Sequence, residues 1–164
     1  MNQTTPAIID IEASGLDSKG YPIEVGFVDE ESNPYCFLVE PERNWTYWDD
    51  EAEALHGISR QILKDYGKTA FDVAEYMNGV LNGKTLYSDA WSYDISWVGK
   101  LFAAVDMHQK FTISSLLDLL TDEQKSRWDE TKEQVIKDIK VRRRRASGDA
   151  KIIQDTYRRV VSDK

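Results

Sequence analysis

An acid sits inside the most apolar segment of the chain, Ala7-Ile8-Ile9-Asp10-Ile11. A β-branched run that is apolar at successive positions reads as a strand buried on both faces. Such a strand needs a sheet covered on both sides by other elements. Side chains alternate along a strand, so Glu12, two residues on, shares the face of Asp10. The chain must therefore fold so that two carboxylates lie beside one another at a buried strand.

The segments around this run predict an α/β architecture. Ser14-Gly15 ends the first strand, and Tyr21–Val28 reads as a second, with Pro22 tolerated at its entry. The turn-rich stretch from Asp29 to Pro34 leads to a third strand, Tyr35–Val39. Two short connections between three strands predict an antiparallel meander. Asp49-Asp50-Glu51 caps a helix over Ala52–Leu55, and helical periodicity continues over Ser59–Tyr66 and Phe71–Leu81. Thr85–Ser88 is a short strand, Tyr93–Val105 a helix, and Phe111–Leu120 a strand running into a helix. Thr121-Asp122-Glu123 opens a helix over 123–139, and 146–161 forms the last. The expected result is a mixed sheet with helices packed on its faces.

Composition narrows the class. The 164 residues predict a single domain over 1–164, and 41% hydrophobic with 30% charged residues is a globular balance. Cys36 is the only cysteine, which excludes an intrachain disulfide and a zinc site built on Cys pairs. No apolar run approaches the ~20 residues of a membrane span, and Met1–Thr5 lacks the pattern of a signal peptide. A cytoplasmic, reducing location and no membrane partner are expected. The net charge is −8, yet residues 125–164 carry 13 basic and 7 acidic side chains. A local basic region of this kind is compatible with a nucleic-acid ligand, although an ordinary solvated helix pair has the same composition.

Two further acids interrupt apolar stripes. In the helix from Tyr93 the stripe is Trp97, Val98, Leu101, Phe102 and Val105, and one turn back lies Asp94. In the last helix the stripe is Ala146, Ala150, Ile153, Tyr157 and Val160, and Asp149 falls inside it. Each acid alone is an ordinary first-turn residue. Together with Asp10 and Glu12 they place four carboxylates from three distant segments on inward faces. Two like charges ~4 Å apart repel by about 4 kcal/mol even at an effective dielectric near 20. Buried Lys or Arg, or divalent cations, are the partners able to satisfy such a group. An all-oxygen donor set favours Mg²⁺ or Mn²⁺.

These segments carry a family resemblance. Asp10-Ile11-Glu12-Ala13-Ser14-Gly15-Leu16 resembles the first motif of the DnaQ-like, DEDD-type 3′→5′ exonucleases. Tyr87–Asp94 resembles their second motif and Arg145–Ala150 their third, with Leu55-His56-Gly57-Ile58-Ser59 resembling the His-Gly-Ile segment between the first two. The resemblance implies an RNase H-like fold, a five-stranded mixed sheet with three antiparallel strands first. It implies that Asp10, Glu12 and Asp149 hold one metal ion, that Asp10 bridges to a second, and that Asp94 supports the site. Two ions clamp a scissile phosphate, and the implied product is a nucleoside 5′-monophosphate released from a 3′ end. By resemblance, Ala13 and Ser14 offer backbone groups to the terminal nucleotide, Leu16 wedges against a base, and His56 and Tyr93 line the base pocket.

One position departs from the family. Its DEDDh branch places a general-base His five residues before the last Asp, where this chain has Arg144. The DEDDy branch places a Tyr four residues before, here Arg145. A guanidinium stays protonated and accepts no proton. Loss of such a base typically removes 10²–10⁴-fold. The chain is then a weakened natural exonuclease, an engineered variant with its His replaced, or a binding-only descendant. The Arg142–Arg145 run beside the metals would grip phosphates in the first and third cases. A dehalogenase-type phosphatase also begins with an acid on a first strand but wants Asp-x-Asp, which Glu12 does not supply. A pure interaction module is the better rival. The expected partners are 3′ ends of single-stranded DNA or RNA, the sugar undecided. A homodimer stays open, because small stand-alone relatives are often dimers.

Overall fold

The computed structural model describes residues 4–141 and 144–162. The apolar run forms the central strand, β1 (Ala7–Ala13), of a five-stranded sheet. Around it lie β2 (Pro22–Val28), β3 (Pro34–Leu38), β4 (Thr85–Ser88) and β5 (Thr112–Ser115), in the order β3-β2-β1-β4-β5. The first three strands pair antiparallel, while β4 and β5 join parallel to β1. This is the RNase H-like arrangement that the motifs predict.

Alternation along β1 sorts its side chains into two cores. Ala7, Ile9 and Ile11 join one cluster with helices α3 (Ala70–Leu81) and α4 (Trp91–Ala104). Ile8 joins the other, with Ala150, Ile153, Tyr157 and Val160 of helix α7 (Ala146–Ser162). Asp10 and Glu12 share the face of Ile8, so they look towards α7. Helix α7 approaches the sheet closely over β2. Gly26, the register partner of Asp10, lies under the Ala146–Ser147 backbone, where an added Cβ would come within 2.3 Å. Only glycine leaves room for that approach.

Capping fixes the helix starts. Asp49, Ser59 and Thr69 each accept a backbone N–H at the head of α1 (Asp50–His56), α2 (Arg60–Tyr66) and α3. Thr121 and Gln124 form a reciprocal capping box on α5 (Asp122–Ser126).

Two predicted boundaries are corrected. The helix expected over 123–139 is split at Arg127 into α5 and α6 (Trp128–Asp138). The Thr131 hydroxyl and N–H both bond back to the Arg127 carbonyl, so α6 begins with its own turn. The strand expected to run into a helix after Phe111 continues only as a 3₁₀ turn, Leu116–Leu119. No helix among the described residues is long and apolar enough to cross a membrane.

Candidate active site

The site is built where β1 ends. Asp10 and Glu12 project from one face of β1, and Asp149 meets them from the first turn of α7. One carboxylate oxygen from each of Asp10, Glu12 and Asp149 lies within 4.8 Å of the others. Asp94 comes from the opposite side of the sheet, on the first turn of α4. It is buried and accepts a 2.6 Å hydrogen bond from the Ser88 hydroxyl at the end of β4. Asp94 lines the same cleft as Asp10 and Glu12, outside the closest cluster of three. Thus the four acids singled out in the sequence do share one cleft.

Crowding and burial act on all four. Desolvation, then the neighbouring charges of Asp94, Glu12 and Asp149, holds the Asp10 carboxyl well above the usual range. Burial beside Asp149 pushes Glu12 up to about 8, and burial raises Asp94 to about 7 against the Ser88 hydrogen bond. Burial also raises Asp149, opposed by the hydrogen bond from the Arg144 N–H. Asp10 Oδ2 is buried and has no hydrogen-bond partner. An uncompensated oxygen of this kind within an all-carboxylate group fits a hard divalent cation.

The predicted strand-contacting residues divide. A cleft of about 270 Å³ beside the acids is lined by Ala13, Leu16, Leu55, His56 and Tyr93. Leu16 is 72% and Tyr93 48% exposed, so neither is a core residue. Ser14 is corrected: it is fully buried, its N–H donates to the Tyr21 carbonyl, and its carbonyl accepts from Asp49. Its hydroxyl accepts from the Tyr21 N–H at 3.0 Å, so Ser14 frames the turn instead of presenting free backbone groups. His56 is buried against the cleft, its Nδ1 accepting from the Ile58 N–H at 3.0 Å. Its Nε2 has no partner.

The arginine run also divides. Arg144 adopts φ +63°, in the left-handed region, and its N–H donates to Asp149 Oδ1 at 3.0 Å. Arg145 is not a phosphate grip, because its guanidinium is bound to the fully buried Glu24 of β2. Arg142 and Arg143 lie outside the described residues. Glu24 escaped the sequence reading although it bears the same signal as Asp10, a carboxylate inside an apolar strand. Asp89 and Lys132 also line the cleft, from the β4–α4 turn and from α6. No local pattern marks them, since their place depends on how α6 packs.

The topology and this cluster can be set beside known structures. The chain is similar in fold to exonuclease I. The zinc-bound E. coli exonuclease I–ssDNA complex gives a TM-score of 0.77 at 13% identity over 99% of this chain. E. coli exonuclease I with a dA16 oligonucleotide gives 0.72 at 14% identity, again over 99%. Exonuclease I from Methylocaldum szegediense gives 0.57 at 15% identity over 74% of this chain. This chain spans 41% of the first two exonuclease I chains and 29% of the third. No family model matches the sequence, and no curated protein matches it.

Proposed function

We propose that this chain is a divalent-metal-dependent 3′→5′ exonuclease that shortens single-stranded nucleic acid to nucleoside 5′-monophosphates. The observation that carries this reading is the meeting of Asp10, Glu12 and Asp149 within 4.8 Å, from segments more than a hundred residues apart. The exonuclease I-like fold supports it.

Asp10, Glu12 and Asp149 would hold Mg²⁺ or Mn²⁺, with Asp94 beside them in support. When bound, such ions lower the pKa of the attacking water and offset charge on the leaving 3′-oxygen. The water oxygen bonds to phosphorus, the P–O3′ bond breaks, and the departing oxygen takes up a proton. Around that centre the chain's own groups orient the strand. Leu16 and Tyr93 offer exposed apolar surface to bases, a common way to hold single strands. His56 lines the same part of the cleft. Arg144 cannot take the water's proton, so turnover is slow for a site of this design.

Arg144 also favours a second reading, a binding module that holds strand and metal without cutting. A Mn²⁺-dependent digestion of matched 3′-labelled single-stranded DNA and RNA separates the two. The exonuclease reading expects 5′-mononucleotides from the 3′ end and blockage by a 3′-phosphate. Internal cuts or digestion from the 5′ end refute it, and strand binding without any product selects the binding module.

A further inference from the structure

We propose that Lys132 is a phosphate-binding residue of this cleft, resting beside Asp89 in the free protein and turning its ammonium to a non-bridging oxygen of a bound strand. The proposal rests on the nuclease reading above and adds to it a residue from outside the three segments that bear the carboxylates.

Lys132 stands on α6, and its Nζ lies 3.2 Å from Asp89 Oδ2. Both residues line one wall with Asp10, Glu12, Arg144 and Asp149. Among the described residues, Lys132 and Arg144 are the only lysine and arginine that line the two adjoining parts of the cleft. Five carboxylates, those of Asp10, Glu12, Asp89, Asp94 and Asp149, face them. An incoming phosphate therefore meets strong repulsion wherever a cation does not stand beside the acids.

The ammonium is also free to act. It carries three N–H donors and bonds only Asp89 among the described residues. The pair is partly exposed, at 34% and 24%, and such a pair is weak and readily rearranged. The four-carbon stem lets the charge swing without moving α6.

The test is binding of a fluorescein-labelled oligothymidylate, with Ca²⁺ in the buffer to keep the strand uncut, over a salt series. Each phosphate contact to a single strand contributes about 0.7 to the slope of log affinity against log salt. Lys132→Gln is expected to lower that slope by about 0.7 and to weaken binding roughly fivefold at 0.1 M salt. Lys132→Arg keeps the slope, as does Lys137→Gln, which removes an exposed charge from the same helix. Thermal melting of each variant confirms that it is folded. An unchanged slope in folded Lys132→Gln overturns the inference and leaves the nuclease reading intact. An equal fall in Lys137→Gln also overturns it, because net charge would then explain the loss. Failure of the parent to bind the strand at all overturns the inference together with the reading beneath it, whereas the digestion assay tests that reading alone.

Discussion

Arg145 closes on Glu24 across the β2–α7 interface: its Nε donates to Glu24 Oε2 at 2.8 Å, and the neighbouring Ala146 N–H donates to Oε1 at 2.6 Å. One buried carboxylate thus ties both a guanidinium and the first turn of α7 to the sheet, four residues before Asp149. Removing one partner of a buried pair costs about 3–5 kcal/mol, because the other is left buried and uncompensated. Arg145→Ala is therefore expected to lower the melting temperature by roughly 10 °C in a chain of this size. Replacing both partners with leucine is expected to cost clearly less than the two single losses together. Thermal unfolding of the single and double variants checks both statements. A loss below about 1 kcal/mol for Arg145→Ala would show that the pair is not structural.

The carboxylate cluster carries an opposite trade. Asp10 is crowded by four other acids, Asp94, Glu12, Asp149 and Asp89, and has a buried oxygen without a partner. Asp10→Asn removes the charge at nearly constant volume and introduces a donor that can satisfy a neighbouring carboxylate. Metal-free Asp10→Asn is expected to melt roughly 3–6 °C above the parent at pH 8, the equivalent of about 1–2 kcal/mol. It is also expected to lose the stabilisation that millimolar Mn²⁺ gives the parent by linkage. Melting curves with EDTA and with Mn²⁺ test both halves, and a metal-free variant less stable than its parent contradicts the first.

The raised carboxyls set a pH dependence with a definite sign. Burial and like charge favour the protonated forms of Glu12, up to about 8, and of Asp94, up to about 7. A group whose folded pKa is raised contributes stability below its unfolded pKa, and loses it as pH rises through the folded value. The metal-free protein should therefore become less stable between about pH 4.5 and pH 8. Bound metal needs the ionised carboxylates, so Mn²⁺ affinity should rise over the same window and protons should be released on binding. Titration calorimetry in buffers of different ionisation enthalpy measures that release. Affinity that is flat from pH 5.5 to 8 would contradict it.

By the motif resemblance, Arg144 would stand where the family places its base. Arg144→His is expected to raise the rate of strand shortening by roughly 10–10⁴-fold at saturating Mn²⁺. The backbone there is left-handed at φ +63°, a region in which His is several-fold enriched over most residues. The gain should follow an imidazole titration near neutrality, which the parent lacks. Single-turnover rates against pH, with Asp10→Ala as the zero, decide the matter. A folded, strand-binding Arg144→His no faster than its parent removes Arg144 from the base position.

Much of this architecture is legible in the sequence because two periodicities mark it. Alternation in β1 puts Asp10 and Glu12 on one face, and the 3.6-residue stripes of α4 and α7 put Asp94 and Asp149 inward. The strand order follows from short loops and from the motif order. Glu24 carries the same mark as Asp10, yet its partner Arg145 reads in the sequence as part of a run that would grip phosphates, so nothing local pairs the two. Lys132 and Asp89 could not be paired from sequence, because 43 residues and a helix break at Arg127 separate them. Ser14 was misread because the turn it closes, with Tyr21 and Asp49, brings together residues far along the chain.

The hydrogen bond between His56 and Ile58 reaches into the chemistry. The Nδ1 lone pair of His56 is committed to the Ile58 N–H, so the neutral ring carries its proton on Nε2. Burial favours that neutral form. The imidazole beside the cleft is thereby fixed as a hydrogen-bond donor and has no basic nitrogen left to offer. His108, the other histidine, is exposed and does not line the cleft. A cleft furnished with a histidine is, in this protonation state, a cleft without an imidazole base.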